Sequence, residues 1–491
     1  MRTSLTLLEL ASGVIVTGFS GTSMDAELEH ALCRVPFAGF ILFARNLEEP
    51  RQARALTDSL RARVEPSPIV AIDQEGGRIM RLRAQVEGLP SMMAVGAVAD
   101  QAFAASAGEA VAYDLRRIGC TLDFAPVLDL AIDPRNTVIG TRAFGSSPDL
   151  VTRLGGAFAR GLMRGGITPT FKHFPGHGAT SFDTHLGGAR LDVDEAMLRG
   201  RDLVPFQALA READAIMAAH VAVPSVDDER PASLSRHFLT GVLREAWRYD
   251  GVVFTDCMQM DAIAKSVGTV RGVTEAIAAG ADCALVSHDP ELAFEAAQHL
   301  AAAVERGEVP LERLQEAHGR VQRLRARAQP PLTDDVPAPH PGIGRRIARD
   351  AITLVRGVPR ADAVADIAVV FGEGSLAEHV PVLEERRVAI DPGERDRMHL
   401  LEALAASNLR PLVLAHRAHL HDGQRHAIEA IIDQAPDTLV VSTGEPYDVP
   451  LLHRARHLLA AYGNDATSLA GLADVIFHGV PSFGVLPVAL A

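Results

Sequence analysis

The sequence predicts an α/β protein in which a (β/α)8 TIM barrel is followed by a smaller C-terminal α/β sandwich domain. Eight short β-rich runs alternate with amphipathic helical stretches over the first two thirds of the chain, the pattern of βα units around a parallel sheet. A proline-rich stretch with weak apolar periodicity then interrupts the alternation. A second, shorter series of β-rich runs and helical segments follows it.

The eight β-rich runs define the predicted barrel. Eight units within about 330 residues fit a closed barrel better than an open doubly wound sheet. No GxGxxG pattern follows the first run, which argues against dinucleotide binding. The predicted strands are Val14–Phe19, Gly39–Phe43, Ile69–Asp73, Leu122–Val127, Thr168–His173, Ala215–His220, Gly251–Asp256 and Asp282–Ser287. The helical segments between them include Pro50–Arg63, Asp100–Ile118, Asp149–Arg164, Ala196–Arg211 and Arg271–Ala279.

The proline-rich stretch divides the chain into two predicted domains. We expect the catalytic barrel over residues 1–327, a linker over 328–344 and a three-layer α/β domain over 345–491. In the second domain His416 and Tyr447 occupy loop positions, but no group of chemically matched residues accompanies them. Its predicted strands are Ile367–Phe371, Val388–Ile390, Leu412–Ala415 and Leu439–Ser442.

Composition argues against several classes of protein. The 491 residues carry a formal charge of −14, so a nucleic-acid partner is not expected. No apolar run reaches the ~18 residues that a membrane span needs, and the first residues lack the pattern of a signal peptide. The four cysteines are scattered without a CxxC pair, which fits a reducing compartment. We therefore expect a cytoplasmic protein without a membrane partner.

Polar residues mark the carboxyl ends of five predicted barrel strands. A single polar residue there is usually a cap or a turn former, but barrel enzymes place their chemistry at these ends. Five ends of eight therefore favour a functional site over local structure. The residues are Asp73, Asp129, Lys172 with His173, His220 and Asp256.

The most informative stretch is KHFPGHG at residues 172–178, followed by Ser-Phe-Asp-Thr-His at 181–185. Lys172 and His173 can donate hydrogen bonds to sugar hydroxyls, and the proline and glycines make a tight turn that brings the backbone close to a ligand. The stretch resembles the signature of the bacterial β-N-acetylglucosaminidase branch of glycoside hydrolase family 3. Segments at 71–78, 136–145 and 254–260 also resemble signatures of that family, in the same order.

The C-terminal part is similar to the second domain of the family at residues 352–354 and 484–488. Val485 departs from the pattern, because the family commonly has Arg or Lys at that position. The resemblance implies a two-domain exo-glycosidase that removes terminal, non-reducing β-linked N-acetylglucosamine, by analogy from cell-wall fragments.

The resemblance also implies roles for individual residues. Asp256 corresponds to the catalytic nucleophile, His185 to the general acid/base and Asp183 to the carboxylate that orients this histidine. The residues that correspond to the sugar-binding set are Asp73, Arg81, Arg142, Lys172 and His173. We expect His220 to line the floor of the pocket.

The chemistry of the residues agrees with these roles. A retaining glycosidase needs a carboxylate to attack the anomeric carbon and a proton donor near the departing oxygen. Asp256 ends an apolar strand that would hold its carboxylate rigidly, although Asp in this position is also a common helix cap. Asp183 lies two residues before His185, close enough to pair with the imidazole, although a solvated loop histidine beside a turn-forming Asp has the same pattern.

Several alternatives and absences accompany this prediction. A β-glucosidase or glycosyl phosphorylase of the same family, a Schiff-base aldolase using Lys172 and a non-catalytic sugar-binding protein remain open. Because a neutral imidazole base would not repel an anion, inorganic phosphate is a possible acceptor beside water. His173, His177 and His185 lack the spacing of a zinc site, and we expect neither a metal nor a cofactor. We expect the partner to be a small-molecule glycoside.

Overall fold

The computed structural model describes residues 5–183, 188–333, 335–358, 365–380, 384–407 and 409–490. Its first unit is a closed barrel of eight parallel strands, as the sequence predicts. All eight strands overlap the predicted runs, and only β5 and β7 extend one residue beyond them. The strands are β1 Ile15–Gly18, β2 Gly39–Leu42, β3 Ile69–Ile72, β4 Leu122–Asp123, β5 Thr168–Phe174, β6 Ala215–Ala218, β7 Val252–Cys257 and β8 Cys283–Val286.

Alternate residues of each barrel strand face the inside and the outside of the barrel. In β3, Ile69 and Ala71 belong to an inner apolar cluster that also contains Phe124 and Phe254. The rings of those two phenylalanines meet edge to face with centroids 5.5 Å apart. Because side chains alternate with a period of two along a strand, Asp73 and Asp256 continue the inward-facing series one step above this core.

Helices surround the barrel and bury one face against its outer side. The predicted helix Ala196–Arg211 is wrong as a single element, because Pro205 cannot supply a backbone donor to a preceding turn. The structure instead has Glu195–Met197, a π-helical segment Leu198–Asp202 and Val204–Leu209. The other helices are Leu7–Ser12, Ala26–Cys33, Pro50–Arg63, Met92–Val98, Gln101–Arg117, Pro148–Arg164, Asp261–Ala264, Thr269–Ala279, Pro290–Glu305 and Leu311–Arg325, with a second π-helical segment at His237–Ala246.

Short elements decorate the barrel loops. One is a two-stranded hairpin, and another is a small four-stranded sheet formed by two strands that follow β5 and two that follow β6. The hairpin has strands Gln74–Gly76 and Ile79–Met80, the sheet has Ser181–Asp183, Gly188–Arg190, Val221–Val223 and Asp227–Pro231, and 3-10 turns occur at Ala44–Asn46, Gly140–Arg142 and Ala232–Leu234. In the described parts of the chain no helix is both long and apolar enough to cross a bilayer.

The second unit is built on a six-stranded sheet with the order β9-β14-β13-β12-β10-β11. Only β9 runs antiparallel to its neighbour, β14. Its strands are β9 Thr353–Arg356, β10 Ile367–Phe371, β11 Glu384–Val388, β12 Pro411–Ala415, β13 Leu439–Ser442 and β14 His457–Ala460. Helices at Ile343–Ala351, Glu394–Ser407, Asp422–Gln434 and Ala466–Ile476 accompany it, with 3-10 turns at Ala418–Leu420 and Pro446–Asp448.

The sequence prediction for this sheet was partly wrong. It missed β9 and β14, and it placed β11 at Val388–Ile390 instead of Glu384–Val388. β11 is an edge strand, and edge strands are commonly charged. Its polar sequence therefore hides the alternation by which the central strands β10, β12 and β13 are recognised.

The proline-rich stretch lies along the barrel. The Tyr113 hydroxyl donates to the carbonyl of Val336 at 2.8 Å, and the His340 imidazole meets the Glu109 carboxylate at 2.5 Å. Arg54 donates to the carbonyl of Leu332 at 3.0 Å. The stretch is therefore anchored to the barrel helices at several points. The domain boundaries at 327 and 344 stay a prediction.

Candidate active site

The polar strand-end residues meet at one mouth of the barrel. Lys172 and His173 lie within β5 and Asp256 lies within β7, while Asp73 and His220 follow β3 and β6 by one and two residues. The strand ends are neighbours because the barrel is closed and all eight strands are parallel.

A buried network of charges forms the floor on the β3–β5 side. The Lys172 ammonium lies 2.8 Å from the Asp73 carboxylate and 2.6 Å from that of Glu75. Glu75 also accepts two hydrogen bonds of 2.8 Å from the Arg142 guanidinium. Lys172 and Glu75 are each only 2% exposed. Such paired and hydrogen-bonded charges hold one another in fixed positions.

These pairings set the protonation states of the network. Burial acts to lower the pKa of Lys172, but the carboxylates of Asp73 and Glu75 raise it above its usual value. Burial acts to raise the pKa of Glu75, but Arg142 and Lys172 lower it far below its usual range. Because a Schiff-base lysine needs a lowered pKa to supply a neutral amine, the raised pKa of Lys172 argues against the aldolase alternative.

Arg81 lies at the outer side of this network. Its guanidinium is 3.5 Å from the Asp73 carboxylate and 5.4 Å from the centroid of the Phe43 ring. Its side chain is 30% exposed, whereas the side chain of Lys172 is buried. Of the sugar-binding residues that the sequence predicts, Arg81 is therefore well placed to reach a ligand from the rim.

His173 is held by a carboxylate that was assigned no role from the sequence. Its Nδ1 lies 2.6 Å from Asp129, and its Nε2 lies 3.3 Å from the Arg142 guanidinium. Asp129 also accepts the backbone N–H of His177 at 2.6 Å. The buried carboxylate of Asp129 thus holds both the His173 imidazole and the turn that follows it.

Asp256 is the penultimate residue of β7 and remains partly exposed to solvent. Its carboxylate accepts the backbone N–H of Cys257 at 2.7 Å. Burial acts to raise the pKa of Asp256, but attraction to the His173 imidazole, the hydrogen bond from the backbone N–H of Cys257 and attraction to the Lys172 ammonium together outweigh it and lower the pKa below its usual value. The carboxylate is therefore ionised at neutral pH, as a nucleophile must be.

Both ring nitrogens of His220 form hydrogen bonds with other groups of the protein. Its Nδ1 is 2.7 Å from the Ser233 hydroxyl, and its Nε2 is 2.9 Å from the carbonyl of Cys257. Because a carbonyl only accepts, Nε2 must carry the proton and Nδ1 accepts from the hydroxyl. Burial lowers the pKa of His220, which favours this neutral form. His220 therefore holds the end of β7, and contact with a sugar stays a prediction.

Asp183 of the predicted acid/base pair lies at the end of the first strand of a hairpin, Ser181–Asp183. His185 lies outside the described residues, and of Asp183 only the backbone is described, paired with Gly188. The returning strand Gly188–Arg190 pairs with Val221–Val223, which directly follows His220. The base of the hairpin is therefore attached to the β6 side of the mouth, next to the strand that carries Asp256.

The C-terminal domain supports the segment that carries Arg142. Glu445 accepts the backbone N–H of Thr141 at 3.0 Å and is itself held by the Arg417 guanidinium through bonds of 2.7 and 2.8 Å. The Tyr447 hydroxyl donates to the carbonyl of Ala131 at 2.7 Å. Sequence reasoning missed this support, since Arg417 and Glu445 are 28 residues apart in another domain.

Among the described residues no group of three or more His, Cys, Asp or Glu side chains could hold a metal ion. The anionic groups at the mouth are instead matched by Lys172, Arg142 and Arg81. The expectation of neither metal nor cofactor stays a prediction.

Comparison with known proteins agrees with this arrangement. The sequence pattern described as "Glycosyl hydrolase family 3 N terminal domain" matches residues 6–324. A β-hexosaminidase from Pseudomonas aeruginosa is 40% identical over 313 residues, which cover 63% of this chain and 91% of that protein. A β-hexosaminidase from Chromobacterium violaceum is 40% identical over 286 residues, 57% of this chain and 78% of that protein.

Solved structures extend the similarity to the second domain. A family 3 β-N-acetylglucosaminidase from Paenibacillus sp. FPU-7 is 33% identical with a TM-score of 0.91, covering 99% of each chain. NagZ from Neisseria gonorrhoeae, solved with N-trifluoroacetyl-D-glucosamine, is 32% identical with a TM-score of 0.54, covering 64% of this chain and 98% of that one. The chain therefore belongs to glycosyl hydrolase family 3 and is a glycoside hydrolase.

Proposed function

We propose that the protein removes terminal, non-reducing β-linked N-acetylglucosamine with retention of configuration. The observation that carries this proposal is the mouth of the barrel, where an ionised Asp256 stands beside the network of Lys172, Asp73 and Arg142. The names of its relatives support the choice of sugar, since they are β-hexosaminidases and β-N-acetylglucosaminidases.

The proposed reaction has two steps. In the first, an Asp256 oxygen attacks the anomeric carbon while His185 gives its proton to the departing oxygen, which breaks the glycosidic bond and leaves a glycosyl-Asp256 ester. In the second, His185 takes a proton from water as the water oxygen attacks the same carbon. This step breaks the ester, restores both side chains and releases the sugar. Asp183 would orient the His185 imidazole throughout.

The substrate is tested by parallel assays on an aryl N-acetyl-β-glucosaminide and an aryl β-glucoside. We expect a higher kcat/KM for the N-acetylated compound. A higher kcat/KM for the glucoside would contradict the proposed sugar and favour the β-glucosidase alternative, with the nucleophile unchanged. We also propose cell-wall fragments as the natural source and the cytoplasm as the location, both by analogy.

The role of His185 is tested by its replacement with alanine. His185→Ala should slow substrates with poor leaving groups by about 10²–10⁴-fold, the usual contribution of a general acid. Activated aryl glycosides, which need little protonation, should be cleaved in the first step almost normally.

His177→Ala is the matched control, because the imidazole of His177, eight residues before His185 in the sequence, could compete for the acid/base role. Its ring meets the Thr180 hydroxyl at 2.9 Å, and burial lowers its pKa. We expect equal effects of this change on both leaving groups. If His177→Ala shows the leaving-group dependence and His185→Ala does not, the acid/base assignment is wrong.

Phosphate as an acceptor stays a prediction of the neutral-base mechanism. Enzyme, substrate and inorganic phosphate are incubated together, and the products are examined by mass spectrometry. A glycosyl phosphate would support the prediction, while free sugar as the sole product would remove it. Either outcome leaves the first step, the attack of Asp256 on the anomeric carbon, unchanged.

A further inference from the structure

The C-terminal sheet has a topological switch point. Strand β10 lies between β11, which follows it in the chain, and β12, which comes next. The connection that leaves β10 runs to β11 on one side, whereas the connection that leaves β12 runs to β13 on the other side, so a crevice separates the carboxyl ends of β10 and β12. In open α/β sheets, ligands bind in the crevice at such a point.

A cavity of about 460 Å³ occupies this crevice. It is lined by the segments that follow β10, β12, β13 and β14, and the barrel closes it with Arg78, Arg83 and Thr141. A volume of this size suits a small molecule of about monosaccharide size. The cavity is separate from the barrel mouth, since none of the predicted sugar-binding residues lines it.

Glycine turns form part of its wall. Gly374 follows β10 with a φ of +107°, a conformation that favours glycine. Gly444 and Gly463 line the cavity after β13 and β14. Backbone groups therefore face the cavity at three of the four strand ends, which allows a ligand to approach closely.

Cations converge on the same cavity. Arg78, Arg83 and Arg417 line it together with the imidazole of His416. Burial and repulsion by Arg142 and Arg417 lower the pKa of Arg78 to about 10. Burial and the neighbouring Arg417 lower the pKa of His416 to about 4. The guanidinium groups thus lie close enough to repel one another, and a bound anion would reduce this repulsion.

The three arginines that line the cavity use only some of their guanidinium donors in hydrogen bonds to the protein. Arg78 uses its Nη2 on the carbonyls of Thr137 and Val138, at 2.7 and 2.6 Å. Arg417 uses Nε and Nη2 on Glu445, and Arg83 uses Nη2 on the carbonyl of Arg78. Within the described part of the chain, Nη1 of each of the three has no hydrogen-bond partner. Guanidinium groups are suited to phosphate oxygens.

The opposite wall offers groups for hydroxyls. Asn464, Glu373 and Asp465 line it. Asp465 caps the last helix, accepting from the backbone N–H of Ser468 at 3.0 Å and from its hydroxyl at 2.7 Å. The Asn464 amide donates to the carbonyl of Glu373 at 3.2 Å, which leaves the Asn464 Oδ1 and the Glu373 carboxylate as acceptors. A ligand with hydroxyls at one end and an anion at the other therefore matches the cavity.

We propose that this crevice binds a small hydroxylated phosphate ester, such as a sugar phosphate, and that its occupancy affects the barrel site. The phosphate would lie among the Nη1 groups of Arg78, Arg83 and Arg417. Arg78 and Arg417 also support the segment that carries Arg142, Arg78 through the carbonyls of residues 137–139 and Arg417 through Glu445. A ligand that engages them therefore acts on the same segment as the glycoside, and we expect the KM for the glycoside to change.

Binding is tested by titration calorimetry with glucose 6-phosphate, inorganic phosphate and glucose as probes, in the presence of saturating N-acetylglucosamine. The amino sugar keeps the barrel mouth filled, so any remaining signal belongs elsewhere. We expect glucose 6-phosphate to bind with a Kd of about 1 mM or tighter, phosphate more weakly and glucose not at all. Failure of both phosphate compounds to bind would overturn the proposal, and equal binding of glucose would too.

The location is tested by Arg83→Gln, because Arg83 is exposed and its loss should not disturb the fold. We expect glucose 6-phosphate to bind about tenfold more weakly, the effect of one charge-assisted hydrogen bond. Arg456→Gln is the matched control, an exposed arginine of the C-terminal domain that pairs with Asp437 and does not line the cavity. Equal loss in the two variants would show a general charge effect and contradict this site. Neither outcome depends on hydrolysis, so the proposed function is tested separately.

Discussion

The two domains use the carboxyl ends of their parallel strands in different ways. In the barrel these ends meet around one axis, and their charges are paired with each other, as Lys172 is with Asp73 and Glu75. In the open C-terminal sheet the ends face the barrel, and Glu445, held by Arg417 of its own domain, accepts a hydrogen bond from Thr141 of the barrel. A closed sheet thus builds a site within itself, whereas an open sheet can support a site in its neighbour.

The largest effect should come from the barrel nucleophile. Asp256→Ala is expected to lower kcat by roughly 10⁴-fold or more, because the covalent step has no substitute carboxylate. The measurement is kcat on an aryl N-acetyl-β-glucosaminide. Asp261→Asn, a change at an exposed aspartate five residues along the chain that pairs with Lys265, should leave kcat within a factor of about two. Retention of activity by Asp256→Ala would contradict the proposed mechanism.

The buried network should matter more for stability than any surface pair. Glu75→Gln keeps the shape of the side chain but leaves Lys172 and Arg142 without the shared carboxylate. We expect a loss of about 3–5 kcal/mol in the free energy of unfolding, the usual effect of removing one partner of a buried pair. The midpoint of urea unfolding measures it, with the fluorescence of Trp247 as the probe.

Glu212→Gln is the surface control for this comparison. Glu212 pairs with Arg160 at 2.9 Å, and both side chains are about 40% exposed. Its loss should cost less than about 1 kcal/mol. Equal midpoints for the Glu75 and Glu212 variants would show that the network at the mouth contributes no more than a surface pair.

The support from the C-terminal domain should have an intermediate effect on substrate binding. Glu445→Gln retains an oxygen for the N–H of Thr141 but loses the ion pair with Arg417. Replacing a charged acceptor with a neutral one costs about 1 kcal/mol, so we expect the KM to rise about fivefold. The kcat should change little, because Arg142 rather than the reacting groups is displaced.

Glu385→Gln is the matched control for Glu445. Glu385 also accepts backbone N–H groups, those of Leu376 and Ala377 at 2.9 and 3.1 Å, and pairs with Arg387 at 3.0 Å. All of these partners lie within the C-terminal domain. If both variants raise the KM equally, the effect comes from general loosening of the domain and not from the contact with Thr141.

The sequence could predict the barrel more fully than its partner domain. Each barrel strand is an apolar run bounded by turn residues, and the side chains at the mouth belong to contiguous motifs such as 172–178. Strand β11 begins with four charged residues, so its alternation is hidden. Glu75 lies in the segment 71–78 that resembles a family signature, but the sequence predicts no role for it, because its partners Lys172 and Arg142 are distant in sequence.

Contacts between the domains could not be predicted at all. Arg417 follows β12 and Glu445 follows β13, and either residue alone reads as a loop charge. Their significance depends on how the C-terminal sheet is oriented toward the barrel, which no local pattern encodes. The same holds for the crevice, since its cations come from residues 78 and 83 of the barrel and from residue 417 of the second domain.

The last effect concerns pH and sharpens the comparison of the two domains. Asp114 in the barrel and Asp448 in the second domain are both buried acids whose pKa burial raises to about 7. The folded state then keeps a proton that the unfolded chain releases near pH 4, so each acid makes stability fall as the pH rises from about 4 to 7, by at most roughly 1.4 kcal/mol per pH unit. Asp448 is fully buried and is hydrogen-bonded by the Ser442 hydroxyl at 2.6 Å.

Asn at either position imitates the protonated acid and should flatten this dependence. Urea unfolding at pH 5, 6 and 7 measures it, with Trp247 fluorescence reporting on the barrel and circular dichroism on the whole chain. If the two domains unfold independently, Asp114→Asn should reduce the pH dependence of the unfolding midpoint measured by fluorescence. Asp448→Asn should then reduce only the pH dependence of the midpoint measured by circular dichroism. If Asp448→Asn also reduces the pH dependence of the midpoint measured by fluorescence, the contacts of Glu445 and Tyr447 with the barrel join the two domains into one cooperative unit. A pH dependence unchanged in both variants would mean that neither acid is protonated in the folded protein.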